Sequence, residues 1–372
     1  MCIVLLTTAH PKYALIVIDN RDEYILRPTS KPHWWTALSD SPSTDNHEYD
    51  CRKVEVVSSR DLARPEHGTW LGMTKGGNIA VLTNYRETNT HDAAHPIAGK
   101  RSRGGMVTAW LAAHPDEPVQ DFVSRMVGSG EARDIGGFSL VCGKLRKRKS
   151  DKGIEPLAII SNRAAHIEHV PWICGDRDHI YGLSNAIYLN PSEETDDLTW
   201  PKVRDGREKL KQVIEATSSE DVSEDVLVEE LCKVLDSNNF PADRCIDLEE
   251  GIPLLKDSIF IPAFGGKQHQ AEMEAARQRD TIKEKGPHDG ASDAVTTVSR
   301  PDNQPNGFQT GLYGTQRQTI ILVDWDGNAT YRERALFDAH GNPIPRGSGD
   351  ETFKFKIEGW EEAVDGELET RN

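Results

Sequence analysis

The chain has 372 residues, with 37% hydrophobic and 28% charged positions and a formal net charge of −16. That balance describes an ordinary globular protein and weighs against nonspecific nucleic-acid binding, because so acidic a body repels a polyanion. Six cysteines, Cys2, Cys51, Cys142, Cys174, Cys232 and Cys245, are scattered without CxxC pairs, which argues against a disulfide framework or a structural zinc site and for a reducing, cytoplasmic setting.

The first predicted elements are two apolar runs, Cys2 to Leu6 and Tyr13 to Ile18, separated by a break that includes Thr7, Thr8, His10, Pro11 and Lys12. They read as a buried β-hairpin rather than a signal peptide, since no basic region precedes them. No run reaches the roughly 20 apolar residues of a membrane span. Val54 to Val57, Thr69 to Met73, Asn78 to Thr83, Gly137 to Cys142, Pro156 to Ser161 and Thr319 to Asp324 read as further strands, β-branched and bounded by turn formers. Lys75-Gly76-Gly77-Asn78 supplies one tight turn. Helical spacing of apolar residues marks Gly104 to Ala113, Pro118 to Ser129 and the acidic stretch Arg204 to Leu235. Strands and helices grouped in this way predict an α+β sandwich of mainly antiparallel sheets with helices on both outer faces. The basic run Lys144 to Lys152 (KLRKRKSDK) predicts a solvated hairpin extension, and Gln268 to Asn306, poor in large apolar residues, predicts a disordered surface insertion. Because strand patterning resumes beyond it, residues 1–372 are expected to form a single domain.

Chemistry enters at Cys2. With Met1 removed, this residue carries a thiol and a free α-amino group, whose pKa of about 7.7–8.0 leaves a useful unprotonated fraction near neutral pH. Nucleophile and base are then one residue, held in place by the strand that follows. If the hairpin turns near His10 to Lys12, the cluster Arg21, Asp22 and Glu23 lies across from Cys2. Arg21 would lower the thiol pKa, and Asp22 or Glu23 would accept a hydrogen bond from the α-ammonium; the bland alternative is a turn cluster of ordinary charges. An oxyanion calls for neutral donors. Asn84 in AVLTNYRE and Asn185 in YGLSNAIY both stand just beyond apolar segments, although turn capping is the commoner task of asparagine.

The motifs NRDE (Asn20 to Glu23), GTWLGMTKGGNIAVLTNYRE (Gly68 to Glu87), SRGGMV (Ser102 to Val107), GGFSLV (Gly136 to Val141), YGLSNA (Tyr181 to Ala186) and YGTQRQTIILVDWDG (Tyr313 to Gly327) follow one another in order. This succession resembles the NRDE family, also called the transport and Golgi organisation protein two family, across nearly the whole chain. The resemblance implies kinship with amino-terminal nucleophile hydrolases such as penicillin V acylase and bile salt hydrolase, hence a four-layer αββα sandwich and cleavage of non-peptide amide bonds. Carried over, it assigns Cys2 as nucleophile, Arg21 as activating arginine, Asn84 and Asn185 as oxyanion donors, and Asp22 or Glu23 as the acid that holds the α-amino group. Tyr85, Arg86 and Arg317 are the accompanying candidates for substrate contact. Many family members read Tyr-Gly-Thr-Arg where this chain has Tyr313-Gly314-Thr315-Gln316, and strand alternation turns the neighbouring Arg317 to the other face. The family also implies haem or lipid handling, with peripheral association to Golgi or mitochondria.

No cofactor is required by this reading, and haem enters only as cargo. His166, His169 and Cys174 in AAHIEHVPWIC and the pair Trp34 and Trp35 are the residues available to a haem pocket, but none has a spacing that singles it out. As metal ligands the first three form only a loose set, so no metal is predicted. The expected partners are a small-molecule amide, haem or a lipid, and not nucleic acid.

Overall fold

The computed structural model describes residues 2–41, 50–84, 103–129, 135–149, 153–164, 166–186, 188–189, 199–241, 246–283 and 310–361. Two strands open it, β1 (Ile3–Thr7) and β2 (Tyr13–Tyr24), followed by β3 (His33–Ser41), β4 (Asp50–Ser58), β5 (Leu71–Thr74) and β6 (Asn78–Asn84). Helices α1 (Arg103–Leu111) and α2 (Val119–Gly128) precede β7 (Phe138–Lys144), β8 (Leu157–Ser161), β9 (Trp172–Ile173) and β10 (Ile180–Leu183). Next come α3 (Pro201–Thr217), α4 (Glu224–Leu235), the one-turn α5 (Leu248–Gly251) and α6 (Lys267–Lys283), then β11 (Tyr313–Asp324), β12 (Asn328–Ala335) and β13 (Asp350–Lys356).

The strands form two sheets in which every pairing is antiparallel. One runs β10-β1-β2-β11-β12-β13 and the other runs β3 to β9 in sequence order. Side-chain alternation sorts the apolar residues into layers. Val4, Leu6, Leu15 and Val17 face Val81, Val141 and Ile159 between the sheets. Ile3, Leu5, Ile16 and Ile18 face α3 and α4 through Leu210, Leu227 and Leu231. On the far side, Ala80, Leu82 and Leu140 meet Trp110 and Phe122 of α1 and α2. The four-layer αββα sandwich expected from the family resemblance is therefore present, and strands buried on both faces explain why β1 and β2 read as unbroken apolar runs. Among the described residues no helix is long and apolar enough to cross a membrane.

The helical acidic stretch resolves into two elements, and two other expectations need correction. The acidic stretch from Arg204 is two helices, because α3 stops at Thr217 and Ser223 caps α4, accepting from Val226 N at 3.4 Å with Glu224 and Asp225 in the first turn. The insertion expected at 268–306 begins instead as α6, whose Met273 and Ala276 are buried; 284–306 lies outside the described residues. The basic run pairs back on itself as expected of a hairpin, Lys147 opposite Ile154 and Arg148 N donating to Gly153 O at 3.0 Å, but over its first part it is not solvated. Leu145 and Arg146 are buried, Lys144 donates to the Pro115 carbonyl, and Lys147 N donates to Trp360 O at 2.8 Å; 150–152 lies outside the described residues.

Candidate active site

Strand β2 carries the NRDE motif, and period-2 alternation splits its four residues between two faces. Asn20 points to the helix layer, where its amide donates to Leu235 O at 2.8 Å and Ile259 O at 2.9 Å, satisfying a carbonyl at the end of α4 that the helix leaves open. Arg21 points between the sheets. Asp22 returns to the helix side, accepting from Thr315 Oγ1 at 2.7 Å with Lys202 Nζ of α3 at 3.9 Å. Glu23 accepts from Tyr24 N at 3.0 Å and lies 3.7 Å from Arg27, so it is engaged locally.

Register places Cys2 within this frame. Ile3 pairs with Asn20, so one further step sets Cys2 opposite Arg21. On the other side Val4 pairs with Leu183, and two further steps set Cys2 opposite Asn185. The ladders stop at Ile3↔Asn20 and Val4↔Leu183, so Cys2, just before β1, lies beside Arg21 of β2, and Asn185, just past the end of β10, completes a row of three. The row is tied by Ser184, whose hydroxyl donates to Cys2 O at 2.7 Å. Arg21 lies over Trp70, its Cζ 4.1 Å from the ring centroid, a contact that offsets some of the cost of burying a guanidinium.

Next along the row, β11 carries a bulge. Thr315 pairs with Asp22 and Arg317 with Arg21, leaving Gln316 as the extra residue. The bulge cancels the alternation expected between Gln316 and Arg317. Gln316 accepts from Arg21 and donates to Ile25 O at 3.1 Å and Arg27 O at 3.0 Å. Arg317 reaches the same segment, donating to Thr29 Oγ1 at 3.0 Å, and pairs with Glu333 at 3.2 Å. It is committed to these partners instead of being free to clamp a substrate.

The asparagines are brought together, but not as two side-chain donors. Asn84 pairs with Phe138, which packs in the α1/α2 layer, so its side chain shares that face. What it presents to the row is its backbone carbonyl, which accepts from the Asn185 amide. Tyr85 and Arg86 lie outside the described residues.

Burial dominates the electrostatics. The Cys2 side chain is 5% exposed, and desolvation, with Asp19 and Asp22 adding repulsion, pushes its thiol up to about 11 despite a hydrogen bond from the Asp22 backbone. Asp19 is held well above the usual carboxylate range, first by burial and then by Asp22 and Glu333. Burial also pushes Asp22 up and Lys202 down, and their mutual attraction only partly opposes this. Arg103, at the start of α1, is pushed down, first by burial, with Glu23 opposing.

Sequence reasoning missed Asp19, Trp70, Arg103 and Lys202. An aspartate inside ALIVID and a lysine in the first turn of a helix, where the dipole disfavours a cation, were the available signals. The haem candidates do not converge. His166 and His169 are exposed, Cys174 is buried with φ of 64°, and Trp34 and Trp35 pack in different layers.

With this geometry in hand, known proteins give the context. Among solved structures, a mutant of conjugated bile acid hydrolase from Clostridium perfringens overlaps 98% of this chain and 94% of its own, at 10% identity and a TM-score of 0.34. A Caenorhabditis elegans ortholog of N-acylethanolamine-hydrolyzing acid amidase overlaps 64% and 88%, at 13% identity and a TM-score of 0.32. The human Transport and Golgi organization protein 2 homolog is 26% identical over 333 residues, covering 88% of each protein. The family described as Transport and Golgi organisation 2 matches residues 1–338. A match over that span, carrying NRDE and the row built on it, shows that the chain belongs to the Transport and Golgi organisation 2 family.

Proposed function

We propose that the protein is a cysteine amidohydrolase of the amino-terminal nucleophile type, acting on a non-peptide C–N bond of a small amide. The observation that carries this reading is the row Asn185, Cys2, Arg21. Removal of Met1 frees the Cys2 amine, which takes the thiol proton as the sulfur attacks the amide carbonyl carbon. The C–S bond forms, the carbonyl oxygen becomes an oxyanion beside the Asn185 amide, and the C–N bond breaks as the α-ammonium returns its proton to the leaving amine. Water, deprotonated by the same amine, then attacks the thioester carbonyl; the C–S bond breaks, the acid leaves and the α-ammonium returns its proton to the sulfur. Arg21 stabilises the thiolate, as it attacks and again as it leaves the thioester, by its fixed charge.

Intact mass of protein purified from its own cells, followed by turnover of a panel of small amides by wild type and Cys2→Ala, tests the proposal. Loss of Met1 with turnover that Cys2→Ala abolishes supports it; retention of Met1 by the whole population rejects it. A second reading is favoured by the near-complete burial of Cys2: a non-enzymatic carrier of haem or an acyl lipid, working in the cytosol in support of the Golgi or mitochondria. Haem binding that survives Cys2→Ala, with no amide turnover, selects the carrier.

A further inference from the structure

Lys202 is fully buried, and its amine has no hydrogen-bond partner although Asp22 Oδ2 lies 3.9 Å away. Its nearest aromatic neighbour is Trp200, with the ring centroid 5.7 Å from Nζ. Burying an amine in this way is costly, and replacing such a pair by apolar side chains is often neutral or stabilising. Docking α3 therefore does not account for it. Asp22 is the residue whose backbone N–H supports the Cys2 sulfur, and its carboxyl repels a charge on that sulfur. Arg21 contacts Gln316 and Trp70, and Arg103 donates to Gly137 O at 3.3 Å; these partners are neutral, so both guanidiniums keep their charge, while Lys202 is the cation paired with Asp22.

We propose that Lys202 is a positioning residue for Cys2, acting through Asp22: it neutralises the carboxyl that would otherwise oppose the thiolate. The proposal rests on reading Cys2 as the nucleophile. The charged groups that act on the thiol are Asp19, Arg21 and Asp22 from β2, Arg103 from α1 and Lys202 from α3, joined by the amine of Cys2 itself once Met1 is removed; Thr315 of β11 adds an uncharged donor to Asp22. Lys202 is the cation of this set that is paired with Asp22.

The test titrates Cys2 by its ultraviolet thiolate absorbance, taken as the difference between each variant and its Cys2→Ser counterpart, so that reagent access plays no part. Lys202→Met should raise the midpoint by about one unit, the lower end of what an uncompensated carboxylate does to a neighbouring acid, and cut the thiolate fraction on the rising limb about tenfold. Lys202→Arg should leave it near wild type. If Lys202→Met fails to fold, Asp22→Asn is compared with the double variant Asp22→Asn/Lys202→Met, since the single variant leaves the lysine unopposed and its removal should again raise the midpoint by about one unit. Coincident titrations in the comparison that folds overturn the proposal. Amide turnover is read separately. A shifted titration without turnover keeps the role of Lys202 and rejects the hydrolase, while turnover with coincident titrations does the reverse.

Discussion

Asp19 sits one ladder step deeper than Cys2, paired with Val4 and Thr319, and neither carboxyl oxygen has a hydrogen-bond partner. Because its folded pKa lies above the unfolded one, its contribution to stability is fully present below the ordinary value of about 3.9 and is lost as pH rises from there through the raised value. Asp19→Asn should therefore be more stable than wild type near pH 8, by about 1–3 kcal/mol, with the advantage gone near pH 3. Thermal melts of both proteins across that range check it, and parallel curves would refute it. Arg21→Met should cost about 1–3 kcal/mol in urea unfolding, since it leaves the Gln316 carbonyl oxygen buried without the guanidinium. At this scale Cys2 opposite Arg21 was legible, because a short hairpin fixes register by counting. Asn84 was not, since its face depends on pairing with Phe138, 54 positions along the chain. Lys202 was out of reach for a similar reason: it enters from a helix layer that no strand spacing predicts.

Glycines set how closely the elements approach the row. A Cβ on Gly68 would stand 2.7 Å from the carbonyl carbon of Gly104, in the first turn of α1. The GTW and SRGG motifs thus describe one backbone contact, which holds the loop bearing Trp70. Gly68→Ala should destabilise by about 1–3 kcal/mol through overpacking, and tryptophan fluorescence should report Trp70 leaving Arg21. Likewise, a Cβ on Gly206 would come 2.8 Å from Leu5 Cδ1, so α3 lies directly on β1. Gly206→Ala should lift the helix and with it Lys202, shifting the Cys2 titration in the same direction as Lys202→Met but by less. Apolar elements were readable in the sequence since burial on both faces leaves a continuous signal. Strands β3 (HWWTALSDS), β12 (NATYRERA) and β13 (DETFKFK) were not: polar residues interrupt the apolar ones in all three, and in β12 and β13 most of these are charged.

For the whole molecule, the family match ends at 338, but the fold does not. Beyond it, Phe353 and Phe355 of β13 pack edge-on against Trp34 with centroids 6.4 and 5.1 Å away, and Trp360 is 3% exposed with its ring N–H on Trp325 O at 3.0 Å. Asp350 pairs with both Arg332 and Arg334. A chain truncated after Asp338 should lose its cooperative melt and aggregate, because β12 becomes an open edge and an inter-sheet aromatic cluster loses its cover; soluble yield and near-ultraviolet circular dichroism decide. The interior place of β1, flanked by β2 and by β10 from almost 180 residues downstream, also bears on timing at the ribosome. At about 5–20 residues per second, the nascent first strand waits roughly 10–40 s for its second neighbour to be translated. During that wait one edge of β1 is open, and it closes only when Ile180 to Leu183 arrive to pair with it.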